Sequence, residues 1–185
     1  MADKPKYPKK PFSDLADEPD YAQLIGRISA SWSLVEHQVC VLFSALLRGP
    51  PQRSHAAYYA IVSFQARITM LRSILKDVTI TKKYREKIAA ILDTVSNASN
   101  KRNKYVHALW LKRDDKIYIA EGLPTNFMQT KKRRVHKKEL SEAADEIRLI
   151  AHETGEFLID FTTADPLSFR ARDLPRALRK KLQRR

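Results

Sequence analysis

Four stretches of the chain repeat apolar residues every three or four positions, the spacing that gathers one face of an α-helix. The first spans about Asp20 to Arg48, with Tyr21, Leu24, Ile28, Trp32, Val35, Val39, Leu42, Phe43 and Leu46 on its stripe. Asp17, Glu18 and Pro19 place acid at its start, where the helix dipole is positive, and Gly49-Pro50-Pro51 stops it. The second, capped by Ser54, runs to about Val78 through Tyr58, Ile61, Phe64, Ile68, Leu71 and Leu75. Thr81 caps the third, whose stripe reads Tyr84, Ile88, Ile91, Val95, Ala98, Val106 and Leu109. The fourth, from about Lys138 to Thr163, uses Leu140, Ala144, Ile147, Ala151, Leu158 and Phe161.

A different texture separates the third and fourth helices. Lys116 to Glu121 reads KIYIAE, which alternates at short range; Gly122 to Asn126 punctuates it, and Phe127 to Lys132 returns as a second strand. The expected fold class is therefore all-α: an up-and-down four-helix bundle with a small β-hairpin, at about residues 114–133, inserted between helices 3 and 4, and a basic C-terminal tail. Residues 1–17, with four prolines and several lysines, read as a flexible basic arm, 18–165 as the bundle, and 166–185 as the tail. A short helix near Pro175 to Leu182 is expected when the tail docks.

Composition narrows the class. The chain has 185 residues, 43% hydrophobic and 30% charged, enough for one core of ordinary size. It holds no run of about 18 apolar residues, so no membrane span is expected. The start, MADKPKYPKKPF, lacks an apolar region behind its lysines, so no secretory signal is expected either. A single cysteine, Cys40, sits among apolar residues and reads as a small buried hydrophobe. These features point to a cytoplasmic protein. No HExxH, no Cys/His set and no tight acidic cluster occurs, so neither a metal site nor a cofactor is expected. The net charge of +14, with a pI near 10.0, draws polyanions. Nucleic acid is the first partner to consider, with an acidic protein or anionic lipid second.

One stretch breaks the pattern. NASNKRNKYVHALW, residues 97–110, continues the third helix but puts Arg102 on the stripe of Ile88, Val95 and Leu109. Burying an unpaired guanidinium costs several kcal/mol, roughly, so it needs a carboxylate, a phosphate or a wet cleft. Beside it run Ser96, Asn100, Asn103 and His107, spaced 4, 3 and 4 apart. A solvated face elsewhere in this chain is Lys and Glu; short amides suit a polar cleft or a second subunit. Blander readings exist for each residue: an Arg that snorkels or pairs with an acid such as Glu36, or a structural flanking His. Tyr105, Trp32 and Trp110 read as packing anchors before they read as base-stacking platforms.

Arg102-Asn103-Lys104-Tyr105-Val106-His107 resembles the R-x4-6-H signature of the HEPN superfamily in its RNxxxH form. Trp32-Ser33-Leu34-Val35-Glu36 is similar to the W-x3-E stretch of many small bacterial members, and the resemblance covers about residues 20–163. It implies a metal-independent endoribonuclease, often a toxin or antiphage effector, that works as a homodimer with two motifs facing across a shared cleft. The implied chemistry uses the RNA's own 2′-OH. His107 would act as base or acid, since imidazole exchanges protons near neutrality. Arg102 would hold the phosphate, Asn103 would orient the imidazole or the phosphate, and Glu36 would support Arg102.

KKRRVHKK, residues 131–138, is the densest positive run. Its Lys131, Lys132, Arg133, Arg134, Lys137 and Lys138 are the expected nucleic-acid contacts, and on a toxin reading they would equally dock an acidic antitoxin. Two alternatives stand beside the nuclease: a catalytically silent HEPN-like binding module, and a helical assembly protein that grips nucleic acid with its tail.

Overall fold

The computed structural model describes residue 13 and residues 15–121 and 131–164. The expected C-terminal tail with its short helix, most of the N-terminal arm and the start of the second hairpin strand lie outside the described residues. The fold is mostly helical with one small sheet. In chain order the elements are α1 (Pro19–Leu47), α2 (Pro51–Ala60), α3 (Phe64–Asp77), α4 (Lys82–Val106), β1 (Leu109–Arg113), β2 (Lys116–Glu121), β3 (Lys131–Arg134) and α5 (Lys137–Ala164).

Two expected helices differ from what forms. The second is broken in two and begins earlier, at Pro51, where the missing N–H and fixed φ of proline suit the first helical position. Ile61, at φ −86° and ψ 113°, closes α2 in an extended conformation. Ser63 then restarts the helix, its hydroxyl accepting from the Ala66 N–H at 3.4 Å. The apolar stripe runs through this break, so periodicity alone does not reveal it. The third helix stops at Val106 rather than passing Leu109, and residues 109–113 become a strand. Asp114 and Asp115, at φ 48° and 54°, make the two-residue turn that folds β1 back on β2. Positive φ at both central residues matches the twist of antiparallel strands, and Asp tolerates it better than most residues. The expected hairpin is thus a three-stranded antiparallel sheet of order β1-β2-β3.

The chain divides into two compact units. The first comprises Met1–Ala30 and Lys101–Glu146. Its buried side chains include Leu15, Tyr21, Ile28, Tyr105, Trp110, Ile117, Ile119, Val135 and Leu140. Tyr21 donates to the Val135 carbonyl at 3.1 Å and meets Trp110 edge-on, while the Trp110 indole N–H donates to the Tyr105 carbonyl at 3.2 Å. These contacts clamp one face of the sheet and the end of α4. The second unit comprises Ser31–Asn100 and Ile147–Arg185. Val35, Val39, Phe43, Tyr58, Ile68, Leu71, Ile88, Leu92, Val95, Ile147 and Phe161 are buried there. By length and composition α1 could cross a membrane. Its Ile28, Trp32, Val35, Val39 and Leu42 are instead buried within the protein, as in a core helix.

Candidate functional site

The C-terminal turn of α4 carries Arg102 and Asn103, and His107 follows the last helical residue. The His107 N–H still donates to the Asn103 carbonyl at 3.2 Å. That bond closes one more helical turn, so positions 103 and 107 stack on one face. The chain then turns into β1, which the Trp110–Tyr105 bond pins against the helix end.

Three side chains converge there. Arg102 Nη1 donates to Asn103 Oδ1 at 2.9 Å and lies 2.6 Å from His107 Nε2. A guanidinium can only donate, so Nε2 is the acceptor and the ring proton sits on Nδ1. The two protons of Nη1 are thereby used. Nη2 has no acceptor among the described residues, and Nε is buried without one. Arg102 is half-buried, while Asn103 and His107 are exposed. No carboxylate among the described residues pairs with Arg102. The guanidinium keeps its full charge, is held only by neutral groups, and has donors to spare beside an exposed imidazole.

Glu36, expected to support Arg102, belongs to the other unit and pairs with Arg67. Arg67 is 7% exposed. Its Nε donates at 2.7 Å to the Ile61 carbonyl, a group freed by the break between α2 and α3, and its guanidinium carbon lies 4.8 Å from the Tyr58 ring centre. The break and this arginine explain each other: an unpaired carbonyl inside the fold needs a donor. Burial beside the pair pushes the Cys40 thiol up to about 11, with the Arg67 charge opposing in part. A thiol so raised is a packing group.

The amide stripe divides as well. Ser96 hydrogen-bonds Gln65 Oε1 at 3.0 Å, a bond within the second unit, whereas Asn103 holds Arg102. Tyr105 is buried and its hydroxyl donates to Glu139 at 2.5 Å. Burial, then the Glu139 carboxylate, hold that phenol up at about 12. Burial alone would raise Glu139 in turn, but hydrogen bonds from Arg133 and Tyr105 bring its carboxyl below the ordinary value.

The basic run splits by environment. Lys131, Lys132 and Arg134 are exposed on β3. Arg133 is half-buried and bonds Glu139 at 2.8 Å, which makes it a structural tie. Lys137 pairs with Asp20, and Lys138 sits 3.9 Å from Glu142 one turn along α5. Sequence reasoning missed Arg113 and Lys116, which the tight turn sets opposite each other on β1 and β2. The available signal was KRDDKI, charged residues flanking an Asp pair. Among the described residues no group of three or more His, Cys, Asp or Glu is gathered as metal ligands would be.

In comparisons with known families, curated proteins and solved structures, the chain matches none.

Proposed function

We propose that the protein is a metal-independent endoribonuclease of HEPN type, with Arg102 and His107 as its catalytic pair and Asn103 as the residue that positions them. The observation that carries this reading is the 2.6 Å contact between the Arg102 guanidinium and His107 Nε2 at an exposed helix end, with no carboxylate to neutralise the arginine among the described residues. An RNA phosphodiester is the stronger acceptor, because charge-assisted bonds to an anion exceed those to a neutral ring. A phosphate oxygen first meets the spare Nη2 donors and then draws Nη1 from Nε2. The freed lone pair takes the proton of the 2′-OH, whose oxygen attacks the adjacent phosphorus in line. The bond to the 5′-oxygen breaks, and that oxygen leaves with a proton from an acid. Arg102 offsets the charge that builds on the non-bridging oxygens. The products are a 2′,3′-cyclic phosphate and a 5′-OH.

The same reading takes the chain as a homodimer in which the second His107 is that acid, and takes the long helical segments as a four-helix bundle. Toxin or antiphage action, with an acidic antitoxin as partner, and a cytoplasmic setting belong to it too. The test is cleavage of single-stranded RNA in EDTA, with product ends read by mass. Wild type is expected to give cyclic-phosphate ends. Arg102→Ala and His107→Ala are each expected to lose about a thousandfold in rate, the upper part of the range for removing one acid–base or oxyanion group. Unchanged circular dichroism in both variants excludes misfolding. RNA bound but left whole by wild type selects the silent binding module instead, whose support is the exposed cations of β3.

A further inference from the structure

We propose that the outer face of the three-stranded sheet is a platform for single-stranded RNA, with Tyr118 as its stacking residue and Arg113, Lys116, Lys132 and Arg134 as its phosphate contacts. Side chains alternate between the faces of a sheet, and residues directly opposite across strands share one face. The register pairs Trp110 with Ile119 and Ile119 with Arg133. Trp110 and Ile119 are buried, and Arg133 bonds Glu139 of α5, so this is the inner face. The opposite face then carries Leu109, Leu111 and Arg113 from β1, Lys116, Tyr118 and Ala120 from β2, and Lys132 and Arg134 from β3.

Four of those side chains are cations, all exposed, and none of the described residues on the face is acidic. Arg113 stands directly opposite Lys116, and Tyr118 directly opposite Arg134. Like charges on facing positions repel, so the fold tolerates a cost that a bound polyanion removes. Arg113 also lies 3.5 Å from Asp114 of the turn, with both side chains 83% exposed, a contact that water screens. Charged residues on an edge strand commonly serve only to deter edge-to-edge pairing. That explanation covers β3 but not Lys116 and Tyr118, which lie on the central strand. An aromatic ring flanked by cations suits unpaired bases and their backbone, because every base has a face to stack and duplex RNA hides its own. Leu109, 40% exposed, adds apolar surface on the same face. β1 begins two residues after His107, so chain geometry holds the platform's first position within about 7 Å of the histidine backbone.

The experiment measures binding of the full chain to a 2′-O-methyl oligouridine, which has no 2′-OH to react, by fluorescence anisotropy. Binding is thus read independently of any cleavage. Tyr118→Ala is expected to weaken affinity about tenfold, within the range for losing one base–aromatic stack. Tyr118→Phe keeps the affinity and serves as the folding control. Lys132→Glu with Arg134→Glu is expected to lower the slope of log affinity against log salt by about two contacts' worth. The same reversal at Lys82 and Lys83 of α4 is expected to change it less. Wild-type affinity in Tyr118→Ala and in the β3 double variant overturns the proposal. So does equal binding of duplex RNA, or of polyglutamate, with no dependence on Tyr118.

Discussion

Two arginines occupy places where a helical protein usually puts apolar side chains, and they are held in opposite ways. Arg67 is buried against Tyr58 and satisfied by the Glu36 carboxylate and the Ile61 carbonyl. Arg102 is half-buried, bonds only an amide and an imidazole, and retains unused donors. A guanidinium that has its counter-ion is part of the scaffold. One held by neutral acceptors beside an exposed histidine carries uncompensated charge at the surface of the fold, and an arriving anion supplies what is missing. Burial and partner, more than residue type, separate the structural arginine from the functional one.

The largest expected effect on stability is at Arg67. Arg67→Ala strands the Glu36 carboxylate and the Ile61 carbonyl and is expected to cost roughly 3–5 kcal/mol, as for breaking a buried pair. Arg102→Ala is expected to cost less than about 1 kcal/mol, since it removes only bonds at a partly exposed position. Urea unfolding of both variants measures the difference. Equal losses would erase the distinction between the two arginines.

Next comes the tie that holds the end of α4 and the sheet. Tyr105→Phe removes a hydrogen bond to a partly buried carboxylate and is expected to cost roughly 1–2 kcal/mol. Glu139 gives that tie a pH signature. Its folded-state pKa lies below the ordinary 4.5, so it stabilises the fold fully above that pH. The contribution is lost as pH falls further, through the depressed value. Unfolding midpoints of wild type and Glu139→Gln are therefore expected to converge between about pH 4.5 and lower pH. A constant gap across that window contradicts the assignment. The smallest effect is at Asn103, where Asn103→Ala is expected to slow cleavage about tenfold and leave stability within about 0.5 kcal/mol of wild type. A loss as large as that of Arg102→Ala would move Asn103 from positioning into the chemistry.

The long helices were legible because their stripes persist over many turns: Ile28 to Leu46 and Leu140 to Phe161 are buried where the spacing puts them. The two misread places share a cause. Ile61 continues the apolar stripe but caps α2, and Leu109 continues it but opens β1, because periodicity records which side faces inward and not whether the backbone still winds. What breaks the helix at Ile61 is a long-range donor, Arg67, which no local pattern announces. What ends α4 is pairing with a strand seven to eleven residues further on, closed by an Asp pair in place of the common Asn-Gly. At the candidate site the convergence of Arg102, Asn103 and His107 was legible from helical spacing. Glu36 was assigned to the wrong arginine, since spacing along α1 does not say which neighbour it meets. Arg133 looked like its neighbours in KKRR, and only strand alternation sets it apart as the residue that turns inward to Glu139.

The pairing of Arg102 with the unprotonated Nε2 of His107 is tested most directly by nitrogen NMR of the imidazole near pH 7.5. The expected result is a pyridine-type Nε2 and a protonated Nδ1, with Nε2 shifting when an uncleavable 2′-deoxy oligonucleotide is added to wild type but not to Arg102→Ala. A ring protonated on Nε2, or one blind to the oligonucleotide in wild type, would contradict Arg102 and His107 as a catalytic pair.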